Sequence, residues 1–317
     1  MNFTRKTIFW VIALVFLGGL FHLLDERAET NKKIEQKQLS LFTLTADDIT
    51  EFWSANLKTR TRIQVTRDGK EWKITEPIVT KGDAKAIGKL LKNLLEARKD
   101  AVLFEDPPPD KLQELGLDAP EQEMGFVPRG HPAVVIHFGN LGPTHNVAYA
   151  RFQGERRVLR VHSDLKQEAN QTVYALRDKS ILEFDPLQMV RLELTRQGMA
   201  KVIIRHEQDR WDMVEPVPMR ANMAKVLETV YSIKNSEIKA FPEPNADELT
   251  HAMDEVQVTV SILLKDAKAP HVLQIGNKDR NRRGYYAKRG DSSIIFVIEE
   301  DLVAALMAHD TLWRETQ

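Results

Sequence analysis

The chain has 317 residues, of which 42% are hydrophobic, so wholesale disorder is excluded and about two domains are expected. Its 45 Lys and Arg residues against 46 Asp and Glu residues give a net charge of −1, and no global field therefore favours nucleic acid. The absence of cysteine excludes disulfides, thiol catalysis and zinc sites built from cysteine.

The first predicted element is a membrane-spanning helix over residues 7–24, which follows a short cytoplasmic tail, residues 1–6. The span has no acidic and no permanently basic residue, and its length as a helix would be roughly 27 Å, close to the hydrocarbon core of a bilayer. The apolar run is longer than that of a signal peptide, and no Ala-x-Ala site follows it. We therefore expect an uncleaved signal anchor, with a cleaved signal peptide as the alternative.

A bare count of the Lys and Arg residues that flank this anchor favours the bulk of the chain inside. Arg5 and Lys6 precede the span, whereas Lys32 and Lys33 follow it within a charged segment, residues 25–40. Because long domains translocate largely regardless of such charges, we expect a single-pass protein with its N-terminus inside and the bulk of the chain outside. The charged segment itself lacks Gly and Pro and would form either a helical stalk or a solvated linker.

The rest of the chain is predicted to contain two copies of one unit, residues 41–182 and 183–317. At a separation of 139 residues, Trp72 and Pro77 match Trp211 and Pro216. Beyond the next helix the separation becomes 137 residues, and the HFGN sequence at 137–140 then falls on QIGN at 274–277. Many landmarks in one order indicate an internal duplication rather than chance.

Each unit is predicted to be α+β, with a mostly antiparallel sheet and packed helices. Two strands come first, then a helix capped by Asp83 or Asn222, a short helix after a Pro-rich loop, three further strands and a last helix. Alternation places Trp72 and Ile74 on one strand face, which favours a structural tryptophan beneath the capped helix. A carbohydrate or ligand platform is the alternative.

No motif in the sequence indicates a catalytic or cofactor site. Three histidines lie within fifteen residues, but the matching positions of the second copy are Lys, Gln and Arg, so we expect ordinary strand and loop histidines instead of a metal site: His131, His137, His145. The GNLGPTHN stretch at 139–146 lacks the Lys-Ser/Thr of a P-loop and is predicted to be a hairpin turn. A serine-hydrolase elbow is also missing. We expect a protein that is not an enzyme and holds neither cofactor nor metal.

The most polarised stretch is a predicted hairpin at residues 276–290, in which six basic residues accompany only one acidic residue. We take these six as candidate partner-binding or anion-binding residues: Lys278, Arg280, Arg282, Arg283, Lys288, Arg289. An extracytoplasmic protein rarely meets nucleic acid, so anionic lipid headgroups, an envelope polymer or an acidic protein surface are better targets. The alternative is a solvated hairpin tip.

The order of these features resembles a known family. Together with the predicted anchor and the paired Trp-Pro units, the LGLDAP sequence at 115–120 and the YALRDKSIL sequence at 174–182 resemble uncharacterised bacterial membrane-anchored proteins filed as a domain of unknown function. Such proteins are commonly associated, as an auxiliary component, with gliding-motility-type ABC transport systems. The second copy lacks a clear equivalent of LGLDAP, and the family carries no agreed catalytic residues to transfer.

The resemblance implies a single-pass protein of the bacterial inner membrane with the bulk of the chain in the periplasm. Such a protein would be an accessory subunit that contacts the membrane subunits of an ABC transporter, with a two-repeat domain for a partner protein, substrate or envelope component. The alternative is a free-standing module that binds envelope polymer or lipid through the Arg-rich hairpin. A third hypothesis is an extracytoplasmic enzyme whose site is not recognisable from the sequence.

Overall fold

The computed structural model describes residues 39–207, 210–243, 247–290 and 292–308. The predicted membrane span and nearly all of the charged segment lie outside these residues. Within the ranges just given, no helix is both long enough and apolar enough to cross a membrane. The chain divides into two compact units between Asp178 and Lys179, whereas the sequence placed the boundary between residues 182 and 183.

The first unit is built on an antiparallel sheet of nine strands in the order β4-β3-β2-β1-β6-β7-β8-β9-β5. Its strands are β1 Ile49–Asn56, β2 Thr61–Asp68, β3 Glu71–Glu76, β4 Thr80–Lys81, β5 Lys99–Phe104, β6 Gln122–Pro128, β7 Val134–Leu141, β8 Val147–Phe152 and β9 Val158–His162. Its helices are α1 Ala84–Leu95, α2 Pro109–Glu114, α3 Ser163–Ala169 and α4 Val173–Leu176.

The second unit has an antiparallel sheet of eight strands in the order β13-β12-β11-β10-β14-β15-β16-β17. Its strands are β10 Met189–Arg196, β11 Val202–Glu207, β12 Arg210–Glu215, β13 Met219–Arg220, β14 Val258–Leu264, β15 His271–Asp279, β16 Gly284–Arg289 and β17 Ile295–Glu299. Its helices are α5 Met223–Asn235 and α6 Glu300–Leu306, with short 3-10 helices at Pro186–Gln188 and Asp247–Leu249.

The two sheets repeat each other in strand order and also in their irregularities. A register shift between residues 49 and 51 recurs between residues 189 and 191, and a shift between residues 64 and 65 recurs between residues 203 and 204. A third shift, between residues 138 and 141, recurs between residues 275 and 278. Bulges are local departures that a fold does not require, so their recurrence shows a repeated fold in detail.

The long helix of each unit begins at the cap residue expected from the sequence. The Asp83 carboxylate accepts hydrogen bonds from the backbone N–H groups of Lys85 and Ala86, at 3.0 and 2.9 Å. The Asn222 side chain accepts one from Lys225 N–H at 3.2 Å. The apolar stripes that follow these caps face the two cores, where their buried members are Ile87, Leu91, Leu94, Val226, Val230 and Ile233.

The repeated tryptophans belong to the two cores, in keeping with the structural interpretation. Trp72 is 5% exposed and meets Phe52 edge to face, with ring centroids 5.7 Å apart. Trp211 is 7% exposed and stacks on His206 at 4.5 Å. The Trp72 carbonyl accepts a hydrogen bond from Gly82 N–H, and the Trp211 carbonyl accepts one from Ala221 N–H, in each case just after the edge strand. A cis Glu-Pro peptide bond precedes both Pro77 and Pro216.

The Gly-Asn pair shared by the HFGN and QIGN sequences forms the third bulge of each sheet. Asn140 donates its backbone N–H to Leu115 O at 2.7 Å and its side-chain amide to Glu114 O at 3.1 Å. Asn277 repeats both bonds to Ala252 O and His251 O, at 2.9 and 2.6 Å. The pair therefore fastens the end of the short helix to the sheet. The turn after residue 141 closes the β7–β8 hairpin, as predicted for GNLGPTHN.

The units differ at the outer edge of the last strand. In the first unit β5 pairs along β9, from Lys99 opposite Val161 to Phe104 opposite Val158. In the described part of the second unit, the corresponding segment makes one isolated bridge to β17, between Ala240 and Val297. The ninth strand is thus a feature of the first unit.

Candidate partner-binding surface on the hairpin of the second unit

A buried carboxylate shapes the tip of the Arg-rich hairpin. Strands β15 and β16 are joined by a turn at residues 280–283, and Asp279, the last residue of β15, is 2% exposed. Its carboxylate accepts the backbone N–H groups of Asn281 and Arg282 at 2.9 and 3.0 Å, and the Arg282 guanidinium at 2.7 Å. These three bonds hold the turn in one conformation.

The same contacts set the charge state of Asp279. Burial alone raises the pKa of a carboxyl group, but the Arg282 guanidinium and the two backbone N–H groups stabilise the anion. They outweigh burial and hold the pKa of Asp279 below its usual value of 3.8. Asp279 and Arg282 therefore form an internal ion pair, and Arg282 is committed to the turn.

The six basic residues proposed from the sequence do not form one patch. Arg289 lies at the far end of β16, where its guanidinium donates to Ile181 O at 3.0 Å and to Ser180 O. Lys288 lies beside it, half-buried and opposite Gln274 of β15. Arg282 is already paired with Asp279. Three of the six candidate residues therefore either lie away from the hairpin tip or are not available there to bind a partner.

The other three residues meet around an open depression at the tip. Lys278, Arg280 and Arg283 line it together with Glu300. Lys278 Nζ lies 3.0 Å from Glu300 Oε1 and 5.8 Å from the ring centroid of Tyr285. Among the residues that the structure describes, the guanidinium groups of Arg280 and Arg283 have no carboxylate partner, and both residues are exposed.

A fourth cation reaches this place from outside the hairpin. Lys239 Nζ donates to Arg283 O at 3.0 Å and lies 2.7 Å from Glu299 Oε2. We call Lys239, Lys278, Arg280 and Arg283 the basic hairpin surface. These four cations and the two glutamates paired with them, Glu299 and Glu300, sum to a net charge of +2.

Sequence reasoning missed Lys239 and the two glutamates. Lys239 follows α5 and is 44 residues from Arg283, so only the pairing of its segment with β17 brings it to the tip. Glu299 ends β17 and Glu300 begins α6. The available signal was the position of Glu300 at the junction of the last strand and helix.

The equivalent depression in the first unit lacks the cations of the basic hairpin surface and holds instead an ion pair, in which Arg160 Nε lies 3.6 Å from Asp100 Oδ2. At the separation of 137 residues, the tip of the β7–β8 hairpin and the start of α3 replace the three cations and Glu300 by uncharged residues: Leu141, Pro143, Asn146, Ser163. Pro143 and Asn146 also line an open depression there. The two units share this fold, and the net positive charge at the hairpin tip is specific to the second unit.

The three histidines of the first unit do not converge. His131 and His145 are exposed near opposite ends of β7, and His137 lies between them within that strand. His137 Nε2 is 3.3 Å from Glu123 Oε2, and Glu123 Oε1 accepts the Trp53 indole N–H at 2.8 Å. Within the described ranges, no group of three or more His, Asp or Glu residues could hold a metal ion.

Comparison with known families gives two overlapping matches to one family, the domain of unknown function DUF4340, over residues 72–256 and 211–317. The two matches begin at Trp72 and Trp211, which are the corresponding tryptophans of the two units. Comparison with curated proteins and with solved structures gave no match. Since the matches cover well over half of the chain, the protein belongs to the family described as domain of unknown function DUF4340.

Proposed function

We propose that the protein is a non-enzymatic accessory subunit of an ABC-type transport system, anchored in the inner membrane through residues 7–24, with two periplasmic units that bind a partner. The anchor rests on the apolar composition of these residues, and the link to transport rests on the resemblance to auxiliary components of gliding-motility-type systems. The binding role rests on the surface of the two folded units.

The observation that supports a binding role is a difference in charge between the hairpin tips of the two repeated units. Strand order, bulges and helix caps recur, whereas the hairpin tip is uncharged in the first unit and cationic in the second. The duplicated fold explains why structural residues occur twice. Because the exposed cationic cluster occurs in one unit alone, the fold does not require it, and it favours recognition of a partner instead. The two residues that contribute most are Arg280 and Arg283.

Co-purification tests this proposal. The tagged full-length protein, recovered from gently solubilised membranes, should bring down the membrane subunits of a transporter, identified by mass spectrometry. Recovery of the protein alone would count against an accessory role. An alkaline phosphatase fused after residue 317 should be active if the units are periplasmic, and an inactive fusion would contradict the proposed topology.

A second candidate is a free-standing module that binds an envelope polymer or lipid through the same hairpin. The concentration of cations at an exposed tip favours it. In that case the purified protein would bind anionic polymer in a salt-sensitive manner, and charge reversal at the tip would abolish that binding without affecting any transporter complex.

A further inference from the structure

We propose that the basic hairpin surface is a docking site for an acidic segment of a partner protein, in which Asp or Glu side chains meet Arg280 and Arg283. This inference rests on the proposed binding function and gives that function a location and a class of partner. It commits to a protein carboxylate as the ligand, rather than to a lipid headgroup or a phosphate polymer.

The two arginines are suited to bind carboxylates because their guanidinium groups are exposed and carry no carboxylate partner among the described residues. A planar guanidinium can donate two parallel hydrogen bonds to a carboxylate, and this geometry adds selectivity to the charge attraction. Arg282, in contrast, already makes such a charge-assisted bond to Asp279. Within the described ranges, the surface therefore offers two guanidinium groups without a carboxylate partner, beside one that holds the turn.

The backbone that carries these arginines is held on both sides. On one side, the Asp279 carboxylate accepts hydrogen bonds from the backbone N–H groups of residues 281 and 282. On the other side, Lys239 donates a hydrogen bond to the backbone carbonyl of Arg283, a residue in the left-handed conformation with φ of 51°. Lys239 is itself fixed by Glu299. A turn that is ordered before binding loses less conformational entropy when a partner docks, so its charges are used efficiently.

The mixture of charges favours a protein over a uniform polyanion. Glu300 lies in the depression and Glu299 lies at its margin, so a closely spaced row of phosphates would face two carboxylates as well as the cations. A protein surface can place acidic groups on Arg280 and Arg283 and a basic or neutral group opposite Glu300. Complementary patterns of this kind select the partner and exclude like-charged competitors.

The test measures binding of a fluorescent peptide, in which Glu residues alternate with Ser, to the detergent-solubilised full-length protein by anisotropy, at low and physiological ionic strength. Reversal of both charges, Arg280→Glu with Arg283→Glu, should weaken binding by about tenfold or more at low salt, and added salt should shrink the difference. The matched control, Lys265→Glu with Lys268→Glu, reverses two exposed cations in the β14–β15 turn of the same unit and should change affinity less than about twofold.

Conservative variants separate binding from folding. Arg280→Lys with Arg283→Lys keeps the charge and should recover part of the affinity, with an unchanged thermal transition. Equal weakening by the tip and control reversals would overturn the proposal, because binding would then follow net charge alone. Tighter binding of short polyphosphate than of the peptide, lost in the tip variant, would overturn it in favour of a phosphate polymer. Peptide binding without co-purified transporter would leave this surface standing and remove only the accessory role.

Discussion

Asp279 is the residue on which the hairpin tip depends. Its carboxylate is buried and accepts three hydrogen bonds, two of them from backbone N–H groups of the turn. The sequence showed an isolated acid among basic residues, a pattern equally typical of a solvated turn. Its role could not be predicted because burial depends on how β15 and β16 pack in the sheet.

Replacement of Asp279 by Asn should destabilise the second unit by about 1–3 kcal/mol, since the amide cannot accept the same three hydrogen bonds. Urea unfolding measures the change. Asp266→Asn, in the exposed β14–β15 turn, is the control and should be nearly neutral. An equal effect of the two substitutions would contradict the role assigned to Asp279.

The lowered pKa of Asp279 also predicts a dependence on pH. Because the folded pKa lies below the usual value of 3.8, this stabilisation is fully present above about pH 3.8 and is lost as the pH falls through the folded pKa. The difference in unfolding free energy between wild type and Asp279→Asn should therefore shrink on acidification below that pH. A difference that stays constant down to the acid limit of folding would refute the ion pair.

The Gly-Asn bulges give a second prediction at the residue scale. A Cβ atom at Gly139 would lie 2.2 Å from Leu115 O, and one at Gly276 would lie 2.2 Å from Ala252 O. Gly139→Ala and Gly276→Ala should each cost about 1–3 kcal/mol of unfolding free energy, because a backbone carbonyl must move. Gly88→Ala, at a position in α1 where a Cβ meets no atom within 4 Å, should instead stabilise the first unit by about 0.5–1 kcal/mol. A change in unfolding free energy of the same sign for all three substitutions would contradict this prediction.

At the scale of elements, the capped helices were predictable because the signal is local. A cap residue followed by apolar positions at helical spacing needs no knowledge of the tertiary fold, and α1 and α5 begin where the sequence placed them. The first strands, β1 and β10, were missed. Both lie near the centre of their sheets. β1 is buried over four consecutive residues, Phe52 to Ala55, so it lacks the alternation of polar and apolar residues used to find strands. β10 does alternate, with Leu192 and Leu194 buried and Glu193 and Thr195 not, so this strand could have been predicted from the sequence.

The caps should contribute equally to the two units. Asp83→Ala and Asn222→Ala each remove an acceptor for the first turn of a helix and should cost about 1 kcal/mol. Chemical denaturation of each variant measures the loss, and the rescue variants Asp83→Asn and Asn222→Asp should restore most of it. No loss in either alanine variant would show that packing alone holds these helices.

At the scale of the whole molecule, the sequence predicted the repeat well and the candidate surface only in part. Repeated landmarks are preserved in order along the chain, so the duplication can be read without coordinates, and the family matches begin at the same two tryptophans. The basic hairpin surface could not be assembled in this way. It needs Lys239 from a distant segment, and it loses Arg282 and Arg289 to contacts that only the fold creates.

The central claim is that the protein serves a transport system by binding a partner through the second unit. The most direct measurement is a crosslinked pull-down of the full-length protein from native membranes, quantified by mass spectrometry. It compares wild type with Arg280→Gln and Arg283→Asn together, and with the control Lys265→Gln and Lys268→Gln together. We predict that wild type and the control recover the same transporter component and that the tip variant loses most of it. Equal recovery by all three proteins, or no transporter component with wild type, would contradict the claim.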